Sequence, residues 1–323
     1  MPTPPNRLPP VCAVAVAALL LPSIAFAQSW PTRPIRVQIP FSAGSTIDVV
    51  GRLVLDPLSA QLGQPIVIEN RGGAGGSIGT ALVAKAEPDG YSVLVHASAH
   101  SSAPAAYANL PYDTARDFSA VAAFGTVPTV CVVSPTKGIK TLKDLVARAK
   151  SGSITYASAG AGSATHWAAE RLRVSAGFDG VHVPFRGAES LTEVMAGRID
   201  FMCAGMSGVL PFLQSGGLIA LAVSTPQRTR ALPNVPTTIE QGFPDSDYNY
   251  WMGMLVPSKT PRAVVDKLHA ETMKALKTPN VAEKFAAQGI EPMPLTPAEF
   301  DAQIAREIEA NKALVKATGI KVN

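Results

Sequence analysis

Two short loops of small residues carry the groups best suited to hold an anion. One spans residues 41–48 and the other residues 156–163, and an apolar strand-like run leads into each of them. Glycine lets backbone N–H groups approach a ligand closely, and the N-terminus of a following helix adds a dipole that favours a carboxylate. Hydroxyl donors come from Ser42, Ser45, Thr46, Ser158 and Ser163. These residue types and their spacing predict a carboxylate site made of two halves that lie far apart in the sequence.

The candidate ligand-binding residues come mainly from these loops. They are Phe41, Ser42, Ala43, Thr46 and Asp48 in the first loop, and Ser158, Ala159, Gly160, Gly162 and Ser163 in the second. Two ordinary βα turns with capping side chains would show a similar composition, but the presence of two such loops favours the binding interpretation. Asp48 is better suited to cap or brace its loop than to contact an anion.

Three residues outside the loops could also reach this site. Ser98 ends a strand-like run, and His166 lies in the first turn of the helix expected after the second loop. A role as a buried capping partner is equally open for His166. Arg186 follows another strand-like run, where it could supply a cation to the site or remain a solvated loop residue.

Other chemistries fit the sequence poorly. Residues 73–78 place Ile78 where a dinucleotide fingerprint needs its last glycine, and there is no phosphate loop of the Gly-Lys-Ser/Thr type. Residues 75–79 match the Gly-x-Ser-x-Gly pattern of hydrolases, but Ser77 lies well beyond the preceding strand rather than on the turn after it. The segment that contains His96 and His100 begins in a strand, and it lacks the His-Glu-x-x-His motif of helical metal sites. We therefore predict no catalytic residue, no metal and no cofactor.

The elements that would position the loops alternate between strands and helices, which is typical of βα units and parallel sheets. The series strand, helix, strand, helix, strand, strand occurs twice, first from Ile35 and again from Ile154. One extra strand follows each series, at residues 127–133 and 250–256. If each extra strand joins the other sheet, two α/β lobes with two connections result, and their ligand loops face each other across a cleft.

This topology sets the expected domain boundaries. We predict one lobe from residues 28–125 together with 251–323, and a second lobe from residues 126–250. Within the second lobe a short helix is expected at residues 238–242, and within the first an irregular stretch around Tyr112.

Composition and the first residues describe an exported, folded protein. The 323 residues are 47% hydrophobic and 16% charged, and the net charge of +4 includes no Lys/Arg block, which argues against nucleic acid as a partner. Residues 1–27 are typical of a signal peptide, because Arg7 precedes an apolar run that ends in a small-x-small pattern, with cleavage expected after Ala27. Cleavage leaves Cys131 and Cys203. Export permits a disulfide between them, although two cysteines in apolar strands are more often unpaired buried thiols.

Several ordered motifs resemble one protein family. They are PIR (residues 34–36), PFSAGSTID (40–48), ENRGGAGG (69–76), AKAEPDGY (84–91), LPYD (110–113), YAS (156–158), HVPFRG (182–187), LAV (221–223) and LPNVPT (232–237). Together they resemble the Bug/TctC-like family, the periplasmic solute-binding proteins of tripartite tricarboxylate transporters. The resemblance covers essentially the whole mature chain.

The resemblance implies an α/β, two-lobed type II periplasmic binding protein fold with two interlobe connections that closes on a small di- or tricarboxylate. In the family, the loops matching residues 41–48 and 157–163 grip the carboxylate through backbone amides and ordered water. It also implies a monomer in the periplasm that contacts integral-membrane transporter subunits transiently.

In this family, more variable residues contact the part of the ligand that lies away from the bound carboxylate. Residues 203–206 are small and apolar here, where the family commonly has Asp or Asn nearby, and this adds Gly205 and Met206 to the candidate site. An aromatic or aliphatic dicarboxylate fits this stretch better than an amino acid. A periplasmic carboxylate sensor and an exported α/β enzyme are the two alternative interpretations of the chain.

Overall fold

The computed structural model describes residues 1–2, 30–248 and 250–318. The expected signal-peptide cleavage after Ala27, and almost all of the segment before it, lie outside the described residues. Among the helices in those ranges, none combines the length and the apolar character that crossing a membrane requires.

The described residues form eleven strands and ten α-helices, besides two short 3-10 helices. The strands are β1 (Ile35–Ile39), β2 (Ile66–Asn70), β3 (Ser92–Ala97), β4 (Phe118–Thr126), β5 (Thr129–Val133), β6 (Thr155–Ser158), β7 (Val181–Pro184), β8 (Phe201–Gly205), β9 (Ile219–Val223), β10 (Trp251–Pro257) and β11 (Glu291–Pro292). The helices are α1 (Thr46–Leu62), α2 (Ser77–Ala84), α3 (Ala99–Ala106), α4 (Leu142–Ser151), α5 (Ala164–Ala176), α6 (Glu189–Met195), α7 (Met206–Gln214), α8 (Arg262–Leu276), α9 (Pro279–Ala287) and α10 (Pro297–Thr318).

The strands build two separate sheets, and the five strands of the second follow the same order as five of the six strands of the first. The first sheet runs β11-β4-β10-β3-β1-β2, and the second runs β7-β6-β8-β5-β9. In the first, β1 is parallel to β2 and β3, and β10 lies antiparallel between β3 and β4. In the second, β6 is parallel to β7 and β8, and β5 lies antiparallel between β8 and β9. We call the parts built on these sheets the first lobe and the second lobe.

The two antiparallel strands are the crossing strands that the sequence predicts. β5 follows β4 of the first sheet but pairs in the second, and β10 follows β9 of the second sheet but pairs in the first. The two-lobed α/β fold with two interlobe connections is therefore confirmed. The residue numbers at which one lobe gives way to the other remain a prediction.

Local sequence explains how the helix after the first loop begins and ends. Ser45 has extended backbone angles and precedes the first helical residue, Thr46. The helix ends at Gly63, whose left-handed φ of 66° lets its N–H donate to the Ala60 carbonyl. An apolar stripe between these ends, which includes Val50 and Leu58, is fully buried and fixes the helix against the first sheet.

Cys131 and Cys203 form a disulfide, so the expectation that they are more often unpaired thiols is wrong for this chain. They occupy directly opposed positions in the antiparallel pairing of β5 with β8. Opposed residues in such a pair bring their Cβ atoms close together. Both side chains are fully buried in the second lobe.

Three local elements differ from the sequence expectation. Helix α3 was not predicted, because its run of Ala and Ser with an internal Pro104 has no apolar stripe. The two-residue strand β11 is too short to leave a periodic signal. Residues 238–242, expected to be helical, form turns that follow a single bridge between Thr237 and Val223.

Candidate functional site

The two small-residue loops lie at the carboxyl ends of equivalent strands, β1 and β6, and both border one cavity. The cavity contains about 450 Å³ of space between its lining atoms, counting the part that opens to solvent. Its lining residues come from both lobes and from one interlobe connection. They are Phe41, Ser45, Thr46, Ile47, Ala97, Ala99, Ala159, Ser163, Ala164, Thr165, Gly187, Ala188, Ser190, Leu191, Met202, Ala204 and Tyr250.

The first loop presents the N-terminus of α1 to this cavity. Ser45 occupies the N-cap position, but its side chain makes no capping hydrogen bond. Its Oγ is buried and has no hydrogen-bond partner among the described residues. The N–H groups of the first helical turn, which begins at Thr46, also lack intrahelical acceptors. The loop therefore offers several donors to an acceptor in the cavity.

Asp48 holds the first loop in shape. Its carboxylate accepts hydrogen bonds from the Gly44 N–H at 2.9 Å, from Arg52 Nε at 3.0 Å and from Asn70 Nδ2 at 3.0 Å. Burial acts to raise the pKa of Asp48, but these hydrogen bonds outweigh it and the pKa is lowered. The carboxylate is thus ionised and fully engaged, and it does not line the cavity.

The second loop presents the N-terminus of α5 from the opposite lobe. Ser163 caps this helix, because its Oγ accepts the His166 N–H. Thr165 Oγ1 accepts the Ala159 N–H at 2.9 Å and lies 3.0 Å from Ser163 Oγ. One of these two hydroxyls donates to the other, so the pair keeps one proton for an acceptor in the cavity.

Two stacked histidines hold the second loop through hydrogen bonds. The rings of His166 and His182 lie 3.8 Å apart between centroids. His166 Nδ1 accepts the Gly162 N–H at 3.1 Å, and His182 Nε2 lies 2.6 Å from Ser158 Oγ, which in turn accepts the Gly160 N–H. Burial lowers the pKa of His166 to about 4 and that of His182 to about 3. Both rings are therefore neutral near pH 7, as acceptance of an N–H by His166 requires.

The lobes touch each other directly around the cavity. Ala188 N–H donates to Ser42 Oγ at 2.9 Å, and Ser42 N–H donates to the Arg186 carbonyl at 3.4 Å. On the other side, the Tyr107 hydroxyl donates to the Ala161 carbonyl, and Ser102 Oγ donates to the Gly162 carbonyl at 3.3 Å. These contacts describe a closed arrangement of the two lobes.

Two glycines permit this closure. A Cβ on Gly75 would lie 2.1 Å from the carbonyl oxygen of Ala161 in the opposite lobe. A Cβ on Gly162 would lie 2.7 Å from the Ala106 Cβ, again across the lobes. Both glycines also have positive φ, of 60° and 73°, which other residues rarely adopt.

The structure distributes the predicted site residues over distinct positions. Those that line the cavity are Phe41, Thr46, Ala159 and Ser163. Those that take part in contacts between the lobes are Ser42, Gly160, Gly162 and Gly205. Those that brace the loops from behind are Asp48, Ser158 and His166. Ser98 and Met206 are buried at the starts of α3 and α7 without lining the cavity, and Ala43 and the Arg186 side chain are exposed.

Several residues at the site were not among the predicted ones. Leu191 and Met202 line the cavity, and Tyr107 contacts the opposite loop. The sequence does not distinguish Leu191 and Met202 from ordinary core residues. Tyr107 was missed because it lies at the end of helix α3, which the sequence did not predict. Thr165 could have been found, since it stands two residues after the cap of a helix whose loop was already identified.

Both the sequence and the structure of this chain are similar to those of known proteins. The model of a family described as the tripartite tricarboxylate transporter family receptor, TctC, matches residues 50–320. The solved structure of the periplasmic binding protein BugD is 31% identical, has a TM-score of 0.86, and covers 90% of this chain and 99% of its own.

Two further solved structures contain small acids. An R. palustris protein with adipate is 29% identical, with a TM-score of 0.86 over 90% of this chain and 99% of its own. MatC from Rhodopseudomonas palustris with bound malate is 29% identical, with a TM-score of 0.84 over 88% of this chain and 99% of its own.

Proposed function

Because the chain belongs to the tripartite tricarboxylate transporter receptor family, we propose that it captures a small organic carboxylate between its lobes and delivers it to the membrane subunits of such a transporter. The family consists of solute-binding proteins, and the chain is accordingly not an enzyme. Similar proteins with adipate and with malate support a carboxylate as the ligand.

One observation carries the carboxylate proposal. The N-termini of α1 and α5 reach the same cavity from opposite lobes, and the buried Oγ of Ser45 has no partner there among the described residues. A buried hydroxyl without a partner is unfavourable, and a carboxylate oxygen would satisfy it. The positive ends of two helix dipoles would offset the charge of the ligand without a cationic side chain.

In this proposal the ligand joins the two lobes. Its carboxylate accepts from the Ser45 hydroxyl and the first N–H groups of α1 on one side, and from the Ser163–Thr165 pair and the start of α5 on the other. A ligand that contacts both loops stabilises the closed arrangement over an open one, because only the closed one brings both sets of donors to it. Asp48, Ser158 and His166 would act by holding the loops rather than by touching the ligand.

The cellular setting is also part of the proposal. Binding proteins of this family act in the periplasm. We expect export by the signal peptide, cleavage after Ala27, a monomeric mature protein without a cofactor, and transient contact with the membrane subunits. A carboxylate sensor would use the same site, and loss of carboxylate uptake in a strain that lacks the protein would distinguish transport from signalling.

A thermal-shift screen of the mature protein against mono-, di- and tricarboxylates tests the binding site. A carboxylate at 100 times its Kd should stabilise the folded state by about 2.7 kcal/mol, and the neutral amide of the same acid should not. Ser45→Ala should weaken binding by removing a donor. Gly162→Leu should abolish it while each lobe stays folded, because the side chain blocks closure. If no organic acid raises the melting temperature, the proposed function is wrong.

A further inference from the structure

We propose that Tyr250 decides how long a ligand this protein accepts, because its side chain ends the ligand cavity and separates it from a second cavity. The proposal rests on the proposed function of the ligand cavity and adds a specificity-determining residue to it. It applies to an acid whose first carboxylate lies at the N-termini of α1 and α5 and whose other end reaches Tyr250. Its support is the position of Tyr250 between the two cavities, together with the burial and the unpartnered hydroxyl of its side chain.

The second cavity is bordered by both connections between the lobes. It contains about 1080 Å³ of space between its lining atoms, counting the part that opens to solvent. Residues 126–128, which lead from β4 into β5, line it, and so do Asp247, Tyr248 and Tyr250, which lead into β10. Among the described residues that line the two cavities, Tyr250 alone is common to both. The ligand cavity and the second cavity therefore meet at Tyr250.

Backbone hydrogen bonds hold Tyr250 at this boundary. Its carbonyl accepts the Val127 N–H at 2.8 Å, which joins the two connections to each other. The carbonyl of the next residue, Trp251, accepts the Ser98 N–H at 3.0 Å. Ser98 lies between two alanines that line the ligand cavity. Tyr250 is thus fixed beside the wall of the ligand cavity and cannot leave it without breaking these bonds.

The side chain of Tyr250 is buried, but its hydroxyl is available to a ligand. The residue is 5% exposed, and none of the described residues forms a hydrogen bond with its hydroxyl. Burial raises the pKa of Tyr250, so the hydroxyl keeps its proton at neutral pH. An oxygen atom at the far end of a ligand could accept a hydrogen bond from it, which a hydrocarbon end could not. Tyr250 therefore favours an acid that carries an oxygen at its far end.

The Tyr250 ring limits the ligand because a longer chain would run into it. Such a chain must displace the buried ring or hold the lobes apart, and either change weakens binding. With alanine at this position, the end of a longer chain could enter the second cavity. That cavity opens to solvent and is also lined by Thr225, Gln227 and Thr229, so a terminal carboxylate there would keep part of its hydration. The length limit should therefore depend on this single side chain.

Calorimetric titration of the mature protein with unbranched mono- and dicarboxylates of four to ten carbons tests the length limit. For the wild type we expect the affinity to reach a maximum and then to fall at least tenfold over the next two carbons. In Tyr250→Ala this fall should disappear, whereas Tyr250→Phe, which keeps the ring, should retain it. Tyr250→Trp should move the maximum to a shorter acid, which provides a second test if the alanine variant does not fold.

The affinities for the different acids are compared within one preparation, so a change in the folded fraction does not alter their ratio. The proposal is overturned if the wild type shows no length limit, or if Tyr250→Ala or Tyr250→Trp keeps the wild-type limit. It is also overturned if other carboxylates bind but neither series does. If no carboxylate binds in this titration or in the wider screen, the proposed function itself fails.

The role of the hydroxyl is tested separately by the ratio of adipate to hexanoate affinity. These two acids have the same chain length and differ in the oxygen atoms at one end. The ratio should fall at least fivefold in Tyr250→Phe, which lacks the donor. Tyr248→Phe is the matched control, because Tyr248 lines the second cavity but not the ligand cavity, and it should leave the ratio unchanged. An equal ratio in the wild type and in Tyr250→Phe would overturn the role of the hydroxyl.

Discussion

Gly75→Ala should weaken ligand binding by preventing complete closure of the lobes. A Cβ at this position would lie 2.1 Å from the Ala161 carbonyl oxygen and 2.9 Å from the Tyr107 hydroxyl. The loops would have to separate by about 1 Å to remove the first overlap. That shift would break or weaken the hydrogen bonds from Tyr107 to Ala161 and from Ser102 to Gly162.

The structure sets the size of this effect. Each hydrogen bond between the lobes contributes about 1 kcal/mol net, so the closed arrangement should lose about 2 kcal/mol relative to an open one. That loss corresponds to a roughly 30-fold lower affinity for the carboxylate. An alanine in the left-handed region should also lower the free energy of unfolding by about 1 kcal/mol, independently of any contact between the lobes.

Gly63→Ala is the matched control for backbone strain. Gly63 has φ 66° and ψ 18°, close to the 60° and 19° of Gly75, and nothing lies within 4 Å of its added Cβ. Calorimetric titration of both variants with the best carboxylate, together with urea unfolding, separates strain from blocked closure. If the affinity of Gly75→Ala stays within threefold of that of Gly63→Ala, the reasoning about closure is refuted.

Three further changes test the interactions that support the site. The double variant Cys131→Ala, Cys203→Ala removes a disulfide that joins residues 72 positions apart. Its free energy of unfolding, measured with urea, should fall by about 4 kcal/mol, and a fall of less than about 1 kcal/mol would contradict this. His166→Gln should make the free energy of unfolding less sensitive to acid. Because the buried His166 stays neutral, the unfolded state binds more protons than the folded state below pH 6.5, and this lowers the free energy of unfolding by about 2 kcal/mol at pH 5. That decrease should be missing when urea unfolding of the variant is measured against pH. Asp48→Asn removes the negative charge that binds Arg52 and the Gly44 N–H. We expect the free energy of unfolding at pH 7 to fall by about 2 kcal/mol, and the affinity for the carboxylate to fall as well. An unchanged urea midpoint would show that Asp48 does not brace the loop.

The strand–helix alternation made the fold predictable from the sequence. Apolar runs that are buried on both faces, such as β5 and β8, leave a continuous signal, and the repeated series revealed where a strand must cross between sheets. The family resemblance is confirmed by the family model that matches residues 50–320. The list of ligand-contacting residues remains a prediction.

Contacts that depend on register or on the meeting of the lobes could not be read from the sequence. The disulfide follows from the position of Cys131 opposite Cys203, which periodicity does not fix. Tyr107 contacts Ala161 across the two lobes, and the 54 residues between them carry no signal of that contact. The exposure of the Arg186 side chain likewise reflects which way its loop turns, because the sequence left both a place in the site and a solvated loop position open for it.

The crossing of β10 into the first sheet sets an order in which the chain can mature. β10 is the strand that joins β3 to β4, so the first sheet stays in two pieces until residues 251–257 have been made. All five strands of the second sheet lie within residues 129–223 and can pair earlier. The part of the protein that is synthesised first is therefore completed last, and its unpaired strand edges at β3 and β4 need protection in the meantime.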